Sequence, residues 1–164
     1  MRFDKLTTKF QQALSDAQSL ALGQDNPSIE PIHLLSALVN QEDGGSASLL
    51  SRAGVNVQSL KTALTRALGV LPKIEQSSGE VPVGRDLNML LNLTDREAQK
   101  RGDQFIASEM FLLVASDDKG EAGRLLREAG GTRRALEAAV AAVRGGQGVM
   151  SQEAEASRQA LAKY

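Results

Sequence analysis

The chain has no cysteine and no tryptophan, one histidine, one tyrosine and four phenylalanines in 164 residues. Without cysteine, disulfides and thiolate metal sites are excluded, which agrees with a reducing, cytoplasmic setting. A single histidine rules out a multi-histidine metal centre. The 19 Lys and Arg nearly balance the 20 Asp and Glu, for a net charge of −1, and the two signs are interspersed. The basic footprint of a nucleic-acid binder is therefore missing. No run approaches the ~20 apolar residues of a membrane span. The opening Met1-Arg2-Phe3-Asp4-Lys5 leads into no apolar stretch of the signal-peptide kind. Neither nucleic acid nor membrane is expected as a partner.

Catalytic signatures are missing too. No glycine is followed by lysine, so no phosphate-binding loop exists, and there is no Gly-x-Ser-x-Gly nucleophile elbow. His33 is the one imidazole, and its place in an apolar stretch predicts a satisfied, hydrogen-bonded interior group. Asp117-Asp118, and Asp16 with Asp95, read as solvated surface carboxylates. The domain is expected to be non-catalytic and to hold no cofactor.

What the sequence does contain is a duplication. Leu49-Leu50-Ser51-Arg52-Ala53-Gly54 recurs as Leu125-Leu126-Arg127-Glu128-Ala129-Gly130, followed by Leu60 with Leu136 and Ala63 with Ala139. Upstream, Ile29 and Leu35 answer to Ile106 and Leu112. Further back, Leu14, Asp16 and Gly23 are aligned with Leu93, Asp95 and Gly102, at an offset that drifts between Gly102 and Ile106. A repeat this long marks a duplicated supersecondary block. Abundant Ala and Leu with few aromatics favour helices. The expected fold is all-α, with eight helices in two four-helix motifs related by a pseudo-twofold axis.

Helical spacing of apolar residues predicts a first helix from Asp4 to Leu22, closed by Gly23. Pro31 suits the first turn of a central helix, Ile32 to Val39, that is apolar nearly all round. A short helix ends at Gly54, and Asn56 caps a fourth. The second copy repeats the plan: Asp86 to Arg101, a buried helix capped by Ser108, Glu121 to Ala129, and a last helix capped by Thr132. Residues 1–71 form repeat one, 72–84 an exposed connector and 85–144 repeat two. Residues 145–164 read as a flexible linker towards a further domain.

Apolar residues exceed what one helix face can bury. Leu87, Leu90, Leu91, Thr94 and Ala98 share one face of the fifth helix, whereas Met89 and Leu93 lie opposite, where charge is usual. The helix after Ser108 has no polar face. Either both helices are sandwiched and bury two sides each, or Leu93 and Met110 share a solvent-facing apolar groove, the kind of patch that marks a binding site for chains or helices.

Four stretches carry a resemblance. They are Met1-Arg2-Phe3-Asp4-Lys5-Leu6-Thr7, Ala17-Gln18-Ser19-Leu20-Ala21-Leu22-Gly23, Ile29-Glu30-Pro31-Ile32-His33-Leu34-Leu35 and Ala98-Gln99-Lys100-Arg101-Gly102-Asp103. Together with the closing Arg158 to Tyr164, they resemble the Clp N-domain family of AAA+ chaperones, closer to its disaggregase than its protease-associated branch. The resemblance implies eight helices in two repeats. It also implies recruitment of unfolded or aggregated polypeptide to a hexameric motor that holds the ATP, and cooperation of the parent with the DnaK chaperone system. The family's apolar groove maps onto Leu91, Leu93 and Met110. Its residues associated with chaperone activity map onto Thr7, Asp103 and Glu109, each of which has a competing local role in a helix cap, a turn or a helix dipole. The alternatives implied are an adaptor-docking domain of a Clp protease ATPase and a structural element of the hexamer.

Overall fold

Two helices that are apolar on every side, α2 (Pro31–Val39) and α6 (Ser108–Ser116), must be enclosed by others, and both are buried along their whole length. The computed structural model describes residues 1–75, 79–146 and 148–156. Among these, α1 (Thr8–Gly23) packs on α2 and α5 (Arg85–Lys100) packs on α6. The remaining helices are α3 (Gly45–Arg52), α4 (Val57–Gly69), α7 (Glu121–Glu128) and α8 (Arg133–Arg144). A short 3-10 turn, Phe3–Lys5, precedes them. Over residues 1–146, among the described residues, the expected all-α architecture of eight α-helices in two repeats is the one observed.

The repeats interlock instead of folding side by side. Helix α3 of the first packs on α8 of the second, and α4 packs on α7. The lead-in to each repeat pairs with the other repeat: Leu6 forms a parallel bridge with Ile106, and Val83 forms one with Ile29. Phe10 meets Phe111 across the same boundary, ring centroids 6.3 Å apart. The two duplicated Ala-Gly ends face each other near the pseudo-twofold axis, where the Asn56 amide donates to the Ala129 carbonyl at 2.9 Å.

These pairings correct the internal alignment. Leu6 matches Val83, Asp25 matches Gly102, Ile29 matches Ile106 and Leu35 matches Leu112, all at one constant offset. Leu14 therefore corresponds to Leu91, and Asp16 to Leu93. Gly23 stays helical, and it is Asp25, at φ 57°, that takes the left-handed turn made by Gly102 in copy two. Aspartate is one of the few residues that tolerates that conformation.

Other boundaries move for local reasons. The first helix begins at Thr8, because Leu6 is held extended by its bridge and Thr7 serves as N-cap. Asn56 and Thr132 cap α4 and α8 as expected. Ser108 is not a cap; Ala107 holds that place and offers no side-chain acceptor. The connector is not wholly exposed, since Val81 is buried and Pro82 accepts from the Ile29 amide; its positions 76–78 lie outside the described residues. Asp95 is buried and not solvated, gripped by the Arg2 guanidinium at 2.7 Å. Burial alone would raise its carboxyl, but hydrogen bonds from Arg2 and Gln99 bring it down to about 2.

Candidate functional site

The apolar outer stripe of α5 is not a demand of the fold. At the positions of Met89 and Leu93, α1 carries Gln12 and Asp16, which hydrogen-bond to each other in solvent at 2.9 Å. Met89 is 52% exposed and Leu93 41%. Next to this stripe, between α4 of one repeat and α5 and α7 of the other, runs an open groove of about 670 Å³. Ala63, Ala67, Val70, Leu71, Met89 and Leu90 are among the residues of its apolar lining, with Pro31, Ile32, Ala122 and Leu125, and Val70 is 81% exposed. Carboxylates outnumber guanidiniums along its rim, where Arg124 is already paired with Glu121 and Glu128.

This is not the groove expected from the periodicity. Leu93 does face solvent, one turn beyond Met89, but Met110 is fully buried, as is Leu91. Met110 lies on the helix enclosed by its neighbours, so it shares no open surface with Leu93. The stripe was legible in the sequence. Its continuation onto α4 through Val70 and Leu71 was not, because those residues follow the helix end and enter no periodic pattern.

The second set of expected residues converges elsewhere. Thr7, Asp103 and Glu109 are all buried. Arg144, the last residue of α8, joins two of them: its Nε donates to Glu109 Oε2 at 2.9 Å and its Nη1 to Asp103 Oδ1 at 3.0 Å. The helix C-terminus favours a cation there. Gly145 and Gly146 both take positive φ, 56° and 87°, and turn the chain back onto the body. Val149 is buried; its amide donates to Asp103 Oδ1 at 3.0 Å, and its carbonyl accepts from the Gln104 and Phe105 amides. The Thr8 amide then donates to the Gln152 carbonyl, and the Thr8 hydroxyl to Glu153 Oε1.

Glu155 closes the cluster. Its Oε1 accepts from the Thr7 hydroxyl and from the Ser108 amide, the latter at 2.7 Å. Burial, and after it the nearby Glu109 carboxylate, push the Glu155 carboxyl above the ordinary glutamate value. Thr7 also accepts from the Phe10 amide, as an N-cap does. The three residues thus form one polar cluster covered by residues 148–156, and none of them lines the groove. Part of the segment expected as a flexible linker lies against the body; position 147 and positions 157–164 lie outside the described residues.

His33 is buried with both ring nitrogens engaged. Nδ1 accepts from the Glu30 amide and Nε2 faces Asn26 Oδ1, each at 2.8 Å, so the proton sits on Nε2. Burial holds its pKa down to about 4. It has no open side from which to act as a base. Among the described residues, no group of three or more His, Asp or Glu is placed to hold a metal ion, and no helix is long and apolar enough to cross a membrane.

A model of the Clp repeat (R) N-terminal domain matches residues 5–129. The chain belongs to the Clp N-domain family. Over its full length it is 49% identical to the chaperone protein ClpB of Pseudomonas putida and 46% identical to that of Vibrio cholerae. It spans 19% of the length of each, and corresponds to the N-terminal domain of ClpB-like chaperones. The Clp N-domain fold is also that of the Hsp104 N-terminal domain from Candida albicans, with a TM-score of 0.80 at 22% identity over 92% of this chain and 99% of that one. A structure described as a complex of a ClpV N-domain with a VipB peptide matches with a TM-score of 0.60 at 20% identity, covering 84% of this chain and 86% of that one.

Proposed function

We propose that this Clp N-domain recruits unfolded or aggregated polypeptide for an ATP-driven, hexameric ClpB-type disaggregase. Exposed apolar segments are taken into the groove between the repeats. The observation that carries this reading is the outward stripe of α5 beside the groove, present where the same face of α1 is polar. A segment hidden in folded proteins gains by burying apolar area here, at ~25 cal/mol per Å². Methionine lets the wall adjust to different side chains. The acid-rich rim favours apolar segments flanked by Lys or Arg.

Leu93 extends this surface by one turn, while Leu91 and Met110 support it from within. Single contacts are weak, and six copies on a hexamer raise avidity by ~10²–10⁴ where geometry permits. Weak capture suits a domain whose motor must withdraw the chain. The domain itself performs no catalysis and binds no cofactor; ATP belongs to the motor. The parent works in the cytoplasm with the DnaK system.

Binding of a denatured test protein to the intact chain, followed by fluorescence anisotropy, tests the reading. Met89→Glu and Val70→Glu are expected to weaken binding at least fivefold without loss of helical circular dichroism, and unchanged binding would refute it. A second reading, docking of a peptide-bearing adaptor as in a Clp protease ATPase, is favoured by the related ClpV fold described in complex with a peptide. Under that reading a folded adaptor, not the denatured protein, would compete at Met89.

A further inference from the structure

The two central helices begin at pseudo-equivalent positions but are capped differently. Glu30 caps α2 in a capping box with His33, and its carboxylate lies beside Gly84, the residue before α5. Ala107 has the same extended backbone as Glu30, φ −88° and ψ 157° against −101° and 163°, yet it has no carboxylate. In its place Glu155 reaches the first amide of α6 and lies beside Thr7, the residue before α1 and the counterpart of Gly84. Among the described residues, Ser108 Oγ, buried in the same cradle, has no hydrogen-bond partner. Helix α6 thus has no capping side chain of its own, and its first amide, whose counterpart in α2 is Pro31 with no N–H, is taken by a carboxylate from outside the repeat. Helix N-termini accept such a carboxylate through free N–H groups and the dipole.

We infer that the N-terminus of α6 is a carboxylate-binding site whose ligand is Glu155 of the same chain, and that residues 148–156 form a releasable strap. Thr7 and Ser108 bind the carboxylate. Asp103 binds the Val149 amide, and Arg144, steadied by Asp103 and Glu109, fixes the point where the strap turns back. Thr7, Asp103 and Glu109 then act by holding the strap and not by touching substrate. Docked, the strap shortens the tether; released, it lengthens the tether by the span from Gly148 to Ala156 and widens the volume the domain searches. This inference is independent of the groove, so either can fail alone.

Amide hydrogen exchange on the whole chain tests it, because Thr8, Gln104, Phe105 and Ser108 donate their amides to the strap. Glu155→Ala is expected to speed exchange at these four at least tenfold while core amides such as Leu60 keep their protection. Thr7→Val should reproduce the effect, and combining it with Glu155→Ala should add little. Wild-type protection at all four amides in Glu155→Ala, or a uniform loss of protection across the domain, would overturn the inference.

Discussion

His33 is conspicuous in the sequence as the lone imidazole, and the structure gives it a structural duty with a measurable pH signature. It is neutral in the fold, with its pKa held to about 4, against 6.5 when freely solvated. As pH falls through 6.5 the unfolded chain takes up the proton first, so stability declines between about pH 6.5 and 4. The full loss is about 3 kcal/mol. Chemical denaturation along this range should show the slope, and His33→Met, which copies the Met110 counterpart, should remove it. A variant with an unchanged slope would assign the pH dependence to other groups. That His33 is interior could be read from its apolar neighbours. Its partner Asn26 could not, because the contact depends on how the turn at Asp25 is closed.

At the scale of elements, helix α5 separates surface from interior within a single turn. Leu91→Ala and Met110→Ala are expected to cost ~2–5 kcal/mol each as core truncations, whereas Leu93→Ala should stay near the ±0.5 kcal/mol of surface positions. Equal costs at Leu93 and Leu91 in urea melts would contradict the exposed stripe. Periodicity placed Leu91 inward and Leu93 outward correctly. It failed for Met110, because a helix with no polar face is either wholly enclosed or half exposed, and the pattern is the same in both cases. Glu155 was invisible for a different reason: a cap supplied from 47 residues downstream leaves no local spacing to detect. Comparing Glu30 with Ala107 at the correct offset is the signal that would have exposed it.

On the scale of the molecule, the duplicated ends of α3 and α7 meet where the repeats cross. Gly130 sits at φ 108°, and a Cβ there would lie 3.0 Å from the Gly54 carbonyl oxygen. Gly130→Ala is expected to destabilise the domain by ~1–3 kcal/mol, and a thermal melt matching wild type would show that the crossing tolerates a side chain. The repeat itself was plain in the sequence, from Leu49 to Gly54 and Leu125 to Gly130. Its interlocked topology was not, because pairings such as Leu6 with Ile106 join residues that no local pattern connects.

The groove between the repeats exists only because of that crossing, which packs α4 of one copy on α7 of the other and brings α5 to the same groove. Chemical-shift mapping of the intact chain with a denatured, lysine-containing test protein addresses its role most directly. The account predicts that the largest perturbations fall on Ala67, Val70, Leu71, Met89 and Leu93, with residues 148–156 unmoved. Perturbations centred on Thr7, Asp103 and Glu109, with the α4–α5 groove silent, would contradict it.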